Sequence, residues 1–226
     1  MVITLKTIAF DLLNIIRGGK LSDDERISIR QVEYWVANTR ATLIRQDLDK
    51  GRSVSDNIQQ TIDCLEVTQV DLSSCCKVRT GCFGYRTKLR LPAPIELGKR
   101  DLLTSVGPTS ATAPRFTLID QSRAPYSIAN PKSLSTKVFF SDGYLYFINA
   151  PDGLKYVSVS GVFEDPTALA KFRSCNDQEC WTDESRYPIS IHMIETLKSM
   201  ILNNNFKLAV AAPSDNTNDG KSDPTK

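Results

Sequence analysis

The stretch Val138-Phe139-Phe140-Ser141-Asp142-Gly143-Tyr144-Leu145-Tyr146-Phe147-Ile148 decides the fold class. Two runs of β-branched and aromatic residues flank an Asp-Gly pair, the dipeptide best suited to the positive-φ corner of a two-residue hairpin. Downstream, a second turn at Pro151-Asp152-Gly153 leads into Lys155-Tyr156-Val157-Ser158-Val159-Ser160-Gly161-Val162-Phe163, so the pattern predicts an antiparallel meander of three strands. Upstream, Ile62, Cys64, Glu66, Thr68 and Val70 alternate with Leu65, Val67 and Gln69. Tyr85, Thr87, Leu89 and Leu91 alternate with Arg86, Lys88 and Arg90, which reads as a half-buried strand with a basic outer row. The section 92–136 is rich in Pro, Ser, Thr and Ala and reads as extended loops with one strand at 116–119.

Helical periods flank this β-rich region. Leu5, Ile8, Leu12 and Ile15 or Ile16 recur at helical spacing over residues 3–16, and Gly18-Gly19 supplies the stop. Ser22 with Glu25 three residues on is a capping box, and the helix it opens runs to Lys50, with Gly51 after it. A short connection makes the two an antiparallel hairpin. Pro166 starts a short helix over 167–172, and Tyr187-Pro188 precedes a longer one over 189–202 with Ile189, Met193, Leu197, Met200 and Ile201 on one face. After Pro213 the chain has no apolar side chain, a composition that stays disordered until a partner orders it. The expected architecture is therefore α+β: a helical hairpin (1–51), a β-rich region with long loops (52–165), a C-terminal helical region (166–212) and a polar tail (213–226).

Composition narrows the function. The 226 residues are 41% hydrophobic and 24% charged, as in an ordinary soluble globular chain. Twenty-eight basic and 26 acidic residues leave +2, too little for a general nucleic-acid coat. No segment approaches the roughly 18 apolar residues of a membrane span. A single histidine, His192, removes every mechanism that needs two imidazoles, and it lies outside its helix's apolar stripe. Gly81-Cys82-Phe83-Gly84 lacks the lysine and following helix of a phosphate-binding loop. No catalytic residue, cofactor or metal site is assigned.

Six cysteines stand at positions 64, 75, 76, 82, 175 and 180. Lys6, Asp11 and Asn14 interrupt the apolar start, so no export signal is read and reduced thiols are expected. Pairing of Cys175 with Cys180 would need both a suitable fold and an oxidising compartment. Cys75-Cys76 and Cys82 with Cys175 and Cys180 could supply four thiolates, but at spacings unlike the usual zinc knuckle. Between Lys77 and Arg100 lie seven Lys or Arg against one Glu, and Arg86, Lys88 and Arg90 are the candidates to face nucleic acid. The competing reading of that row is a solvated strand whose charges discourage edge pairing.

The order of elements, with the string Gly161-Val162-Phe163-Glu164-Asp165-Pro166, the Tyr187-Pro188 helix and the Asp/Asn-rich tail, resembles the head-to-tail connector, or tail ring, structural proteins of crAss-like podoviruses infecting gut Bacteroidales. The resemblance implies a non-enzymatic virion protein made in the host cytoplasm. It further implies a ring of twelve copies beneath the portal protein, stacked on other tail ring proteins around the channel through which DNA leaves. Contact with passing DNA would be non-specific. Ile29 and Tyr34 point away from the stripe through Val32, Val36, Leu43 and Leu48, as Phe10 does on the first helix, so with His192 they are candidate interface residues and the hairpin a docking element, the alternative being that they pack on the β-region of the same chain. The alternative reading is a phage-encoded nucleic-acid module stabilised by cysteine-bound zinc.

Overall fold

The computed structural model describes residues 2–18, 27–53, 55–71, 83–98, 100–110, 112–128 and 135–207. It is α+β, as the periods predict. Helix α1 (Leu5–Ile16) starts at Thr4, whose side chain accepts from the Thr7 N–H. Helix α2 (Ile29–Asp49) is capped by Ser28, which accepts from the Gln31 N–H at 3.3 Å. The start expected at Ser22 therefore moves to the second serine; Ser22 and Glu25 lie outside the described residues.

Nine strands follow among the described residues: β1 (Gln60–Asp71), β2 (Phe83–Thr87), β3 (Glu96–Leu97), β4 (Arg100–Asp101), β5 (Leu103–Pro108), β6 (Thr117–Leu118), β7 (Lys137–Ser141), β8 (Tyr144–Ile148) and β9 (Tyr156–Gly161). Seven of them form one sheet in the order β5-β9-β1-β2-β8-β7-β6, antiparallel except for the β6–β7 pair, and β3 pairs with β4. The β7–β8 hairpin closes on Asp142 and Gly143, both at positive φ (52° and 83°), with Ser141 opposite Tyr144. A side chain on Gly143 would also meet Arg90 Nε at 3.1 Å, so glycine is required there twice over.

The strand after Pro151-Asp152-Gly153 does not continue the meander. β9 leaves the hairpin and pairs instead with β1 and β5. Val157 and Val159 are fully buried, which suits a strand with a neighbour on each side. Its edge partner β5 is hidden in the sequence by Gly107 and Pro108, residues tolerated at a sheet edge.

One face of the sheet is apolar. Ile62, Leu65 and Val67 on β1 lie beside Val157 and Val159, and Leu145, Phe147 and Val138 continue the face on the far side of Thr87. Ile62 and Leu65 are three apart, an odd spacing that would put them on opposite faces of a regular strand. A bulge at that point, with Cys64 at φ 55°, returns both to the core. The same core takes in Ile8, Leu12, Val32, Val36, Ile44, Met193 and Leu197 from α1, α2 and α4 (Ile191–Met200). Past Met200 the chain continues as a wider π-type turn over Ile201–Phe206, which takes in Asn203, Asn204 and Asn205.

Candidate functional site

The centre of the molecule is held by a charge. Arg40 follows Val32 and Val36 at four-residue spacing and precedes Ile44, so the helix period carries it into the core, where it is 0% exposed. Its Nε donates to the Pro188 carbonyl at 2.6 Å, and a terminal nitrogen donates to the Phe163 carbonyl at 2.8 Å. The second terminal nitrogen reaches the Ile58 carbonyl at 3.5 Å, and the guanidinium carbon lies 5.8 Å from the Tyr187 ring. Burial lowers the Arg40 pKa to about 10, and it stays charged at neutral pH. One side chain thereby ties α2 to the start of β1, the end of β9 and the approach to α4. Burial pushes the Tyr187 hydroxyl well above the ordinary tyrosine range; that hydroxyl finds no hydrogen-bond partner among the described residues.

The string Gly161–Pro166 is the other half of this junction. Gly161 lies so close to β5 that a Cβ would meet the Leu102 carbonyl at 3.0 Å. The Val162 N–H donates to Leu102 O, and Val162 O accepts from the Ile95 N–H. Glu164 pairs with Arg45 of α2, Asp165 accepts from the Thr167 N–H at 2.9 Å, and Pro166 begins the 3₁₀ turn Pro166–Lys171. Each residue of the string that sets the chain apart has a local structural role.

The basic row lies on the sheet face opposite the core. Arg86 stands across from Thr68 on β1 and Tyr146 on β8, and its guanidinium covers the Tyr144 ring at 4.1 Å. Lys88 is paired with Glu66 at 2.8 Å. Arg90 donates twice to the Asp142 carbonyl (3.0 and 2.9 Å) and so clasps the hairpin tip. β2 ends at Thr87 rather than Leu91, because the chain turns to place the Leu91 N–H on Gly143 O. Phe139 and Tyr146 stack beside the row with centroids 5.1 Å apart. The structure thus brings the three cations onto one aromatic-lined region, two of them already holding polar partners.

The candidate interface residues separate. Phe10 is 54% and Tyr34 65% exposed, as expected for side chains outside the internal stripe. Ile29 is half-buried and packs against the core, which takes it off the free surface. His192 is solvent-exposed, with Nε2 3.8 Å from an Asp47 oxygen that also belongs to the Arg52 pair. Ile191, at the start of α4, is a further exposed apolar side chain (69%), at a position that helix periodicity alone does not single out.

The thiols depart from expectation. Cys64, at the β1 bulge, is joined to Cys175 by a disulfide with Cα atoms 5.0 Å apart, across 111 residues of sequence. Cys175 is therefore neither reduced, nor paired with Cys180, nor a free thiolate for the four-sulfur zinc set. The bulge is the reason: the positive φ at Cys64 turns that residue out of the strand's regular alternation. Cys75, Cys76 and Cys82 lie outside the described residues. Among the described residues no group of three or more His, Cys, Asp or Glu could hold a metal ion, and no helix is long and apolar enough to cross a membrane.

These surfaces define a structural protein of the contact-making kind: an α+β body, apolar residues exposed on its helices and a cationic, aromatic sheet face. The chain belongs to the phage tail ring protein 2 family of crAss-like phages, which matches residues 7–224. It is a structural tail ring protein of the virion, a family that assembles with copies of itself and with other tail proteins. No curated protein matches the chain.

Proposed function

We propose that the chain is one subunit of a ring, twelve copies in all, in the head-to-tail connector, below the portal protein and around the channel through which DNA leaves. The observation that carries the assembly part is the set of apolar side chains left on the outside of the helices. Phe10 on α1 and Tyr34 on α2 are 54% and 65% exposed, and Val2, just ahead of α1, is 61% exposed. Such side chains gain their burial when a neighbour arrives, at about 25 cal/mol per Å² of apolar area. A ring repeats each modest contact at every subunit, and closure makes them cooperative.

In this reading the helical side docks to neighbours and the Arg86–Lys88–Arg90 region faces the channel. Lys88 and Arg90 have partners of their own, so passing DNA meets a surface that is only mildly cationic. A conduit that must release its cargo is better served by such a surface than by a tight phosphate clamp. The test is particle assembly with Phe10→Glu and Tyr34→Glu. The expected result is loss of the subunit from particles while the isolated chain keeps its melting temperature, because the carboxylate is desolvated only in the ring. Normal incorporation of both variants overturns the docking assignment.

A further inference from the structure

A cleft of about 390 Å³ opens between the last turns of α2 and the start of α4. Buried Ile44, Ile58 and Met193 give it an apolar wall; Asp47, Arg52, Ser190 and His192 give it a polar one. Ser190 stands at the N-cap of the ten-residue α4, with the extended backbone of a capping residue (φ −74°, ψ 139°). Thr4 and Ser28 use their hydroxyls to cap α1 and α2, but Ser190 does not. It is 8% exposed, and among the described residues its hydroxyl has no hydrogen-bond partner. A hydroxyl so deeply placed costs free energy until something bonds to it. Among the described residues the Ile191 and His192 N–H groups in the first turn also lack acceptors, and this helix end carries partial positive charge. Arg52 adds a full charge. One of its terminal nitrogens bonds both Asp47 oxygens, at 2.9 and 3.1 Å, which leaves Nε and the other terminal nitrogen for a further acceptor.

We propose that this cleft is a carboxylate-binding site, filled by an acidic side chain of a neighbouring copy of the chain. The Ser190 hydroxyl donates to one carboxylate oxygen, the first-turn N–H groups donate to the other, and Arg52 supplies the countercharge. Asp47 sets the charge class. Its carboxylate already draws on Arg52 and lies 3.8 Å from His192 Nε2, so a doubly charged phosphate meets twice the repulsion that a carboxylate meets. The apolar wall suits the methylene arm of Asp or Glu. The second copy as source rests on the ring reading above, which gives the helical side to neighbours. In a ring the contact is heterologous, so this cleft meets a different patch of the next copy. Ile191, 69% exposed between the two cleft residues Ser190 and His192, offers an apolar contact at the same place.

The first test titrates the isolated full chain with sodium acetate, against sodium chloride at equal ionic strength, and follows the amide shifts of Ile191 and His192. Saturable shifts are expected, with sodium phosphate binding more weakly than acetate. Ser190→Ala should weaken acetate about fivefold, the worth of one hydrogen bond, and leave the melting temperature unmoved, because that hydroxyl bonds to nothing in the free chain. Shifts that do not saturate, tighter binding of phosphate, or unchanged affinity in Ser190→Ala overturns the site. The second test treats particles carrying Arg52→Lys with a water-soluble carbodiimide. The introduced amine should be joined to a carboxylate of another copy; its absence from any such cross-link overturns the second copy as source. If Arg52→Lys does not enter particles, the native amine of Lys50, which lines the adjoining cleft with Asp47 and His192, is mapped the same way in wild-type particles. Acetate binding needs no ring, so failure of the site is distinct from failure of the ring reading, which shows as normal incorporation of the Phe10 and Tyr34 variants.

Discussion

Replacing Arg40 with methionine isolates the junction that holds helices to sheet. Methionine matches the aliphatic stem but has no donor, so the Pro188 and Phe163 carbonyls lose their 2.6 and 2.8 Å bonds and the Ile58 carbonyl its longer one. A buried acceptor left without its donor costs about 1–3 kcal/mol, so two short bonds amount to roughly 2–6 kcal/mol. The missing guanidinium also leaves a void beside the Tyr187 ring. Against this stands a recovered cost. A base whose folded pKa of about 10 lies well below the ordinary arginine value is destabilised in its charged form at every pH below 10. Recovering it returns about 3 kcal/mol against roughly 4 kcal/mol for the carbonyls and about 1 kcal/mol for the void, so the expected net loss is about 2 kcal/mol, or ~4–8 °C in Tm for a chain of this size. Thermal unfolding followed by circular dichroism reads it directly. A Tm within about 2 °C of wild type would refute the carbonyl-cage account, since that corresponds to less than ~1 kcal/mol. Arg40→Lys separates charge from geometry: an ammonium keeps the charge but cannot span carbonyls from three segments, so it should lose most of the same stability.

Gly143→Ala should cost about 1–2 kcal/mol through its left-handed φ, seen as a lower urea midpoint at unchanged slope; an unchanged midpoint would contradict the two-residue turn. Ile29→Glu, unlike the changes at Phe10 and Tyr34, should destabilise the isolated chain by a few kcal/mol, because that side chain already packs on the core; an unshifted Tm would return Ile29 to the free surface. Changing Arg86, Lys88 and Arg90 together to Gln should flatten the salt dependence of weak duplex-DNA association, by about one unit of slope for each phosphate no longer neutralised; an unaltered slope would remove the row from the channel.

The parts of the fold that follow from local chemistry can be read from the residues. An Asp-Gly pair between aromatic runs leaves few options, and the β7–β8 hairpin closes where the pattern puts it. The stripe through Val32 and Val36 likewise identifies the buried side of α2, and the four-residue step to Arg40 is a signal that an arginine lies inside. What escapes depends on distant partners. Nothing within 156–161 distinguishes a third meander strand from one inserted between β1 and β5. The bulge at Cys64 shows locally only as the odd interval between Ile62 and Leu65, and its partner Cys175 lies 111 residues away. Of the candidate site, exposure of Phe10 and Tyr34 is legible because helix geometry dictates which way they point. The pairing of Lys88 with Glu66 is not, since register between β1 and β2 decides it.

The string Gly161–Pro166 joins these threads. In the sequence it marks a resemblance and matches no catalytic motif. Its chemistry is inward instead. Gly161 admits the β5 backbone, the Phe163 carbonyl receives Arg40, Glu164 receives Arg45, and Asp165 caps the turn that follows. Six consecutive residues therefore connect a sheet edge to the long helix through two arginines of that helix, one buried and one partly exposed. In the proposed ring the helices meet neighbours while the far sheet face meets DNA. A sideways load on that face must then pass to the neighbours through contacts between sheet and helix. Apolar packing is non-directional and yields to sliding, whereas hydrogen bonds from a rigid planar fork to carbonyls on separate segments oppose it. A buried, carboxylate-free arginine is a poor choice for stability alone. It suits a body that must keep its two working faces in fixed relation.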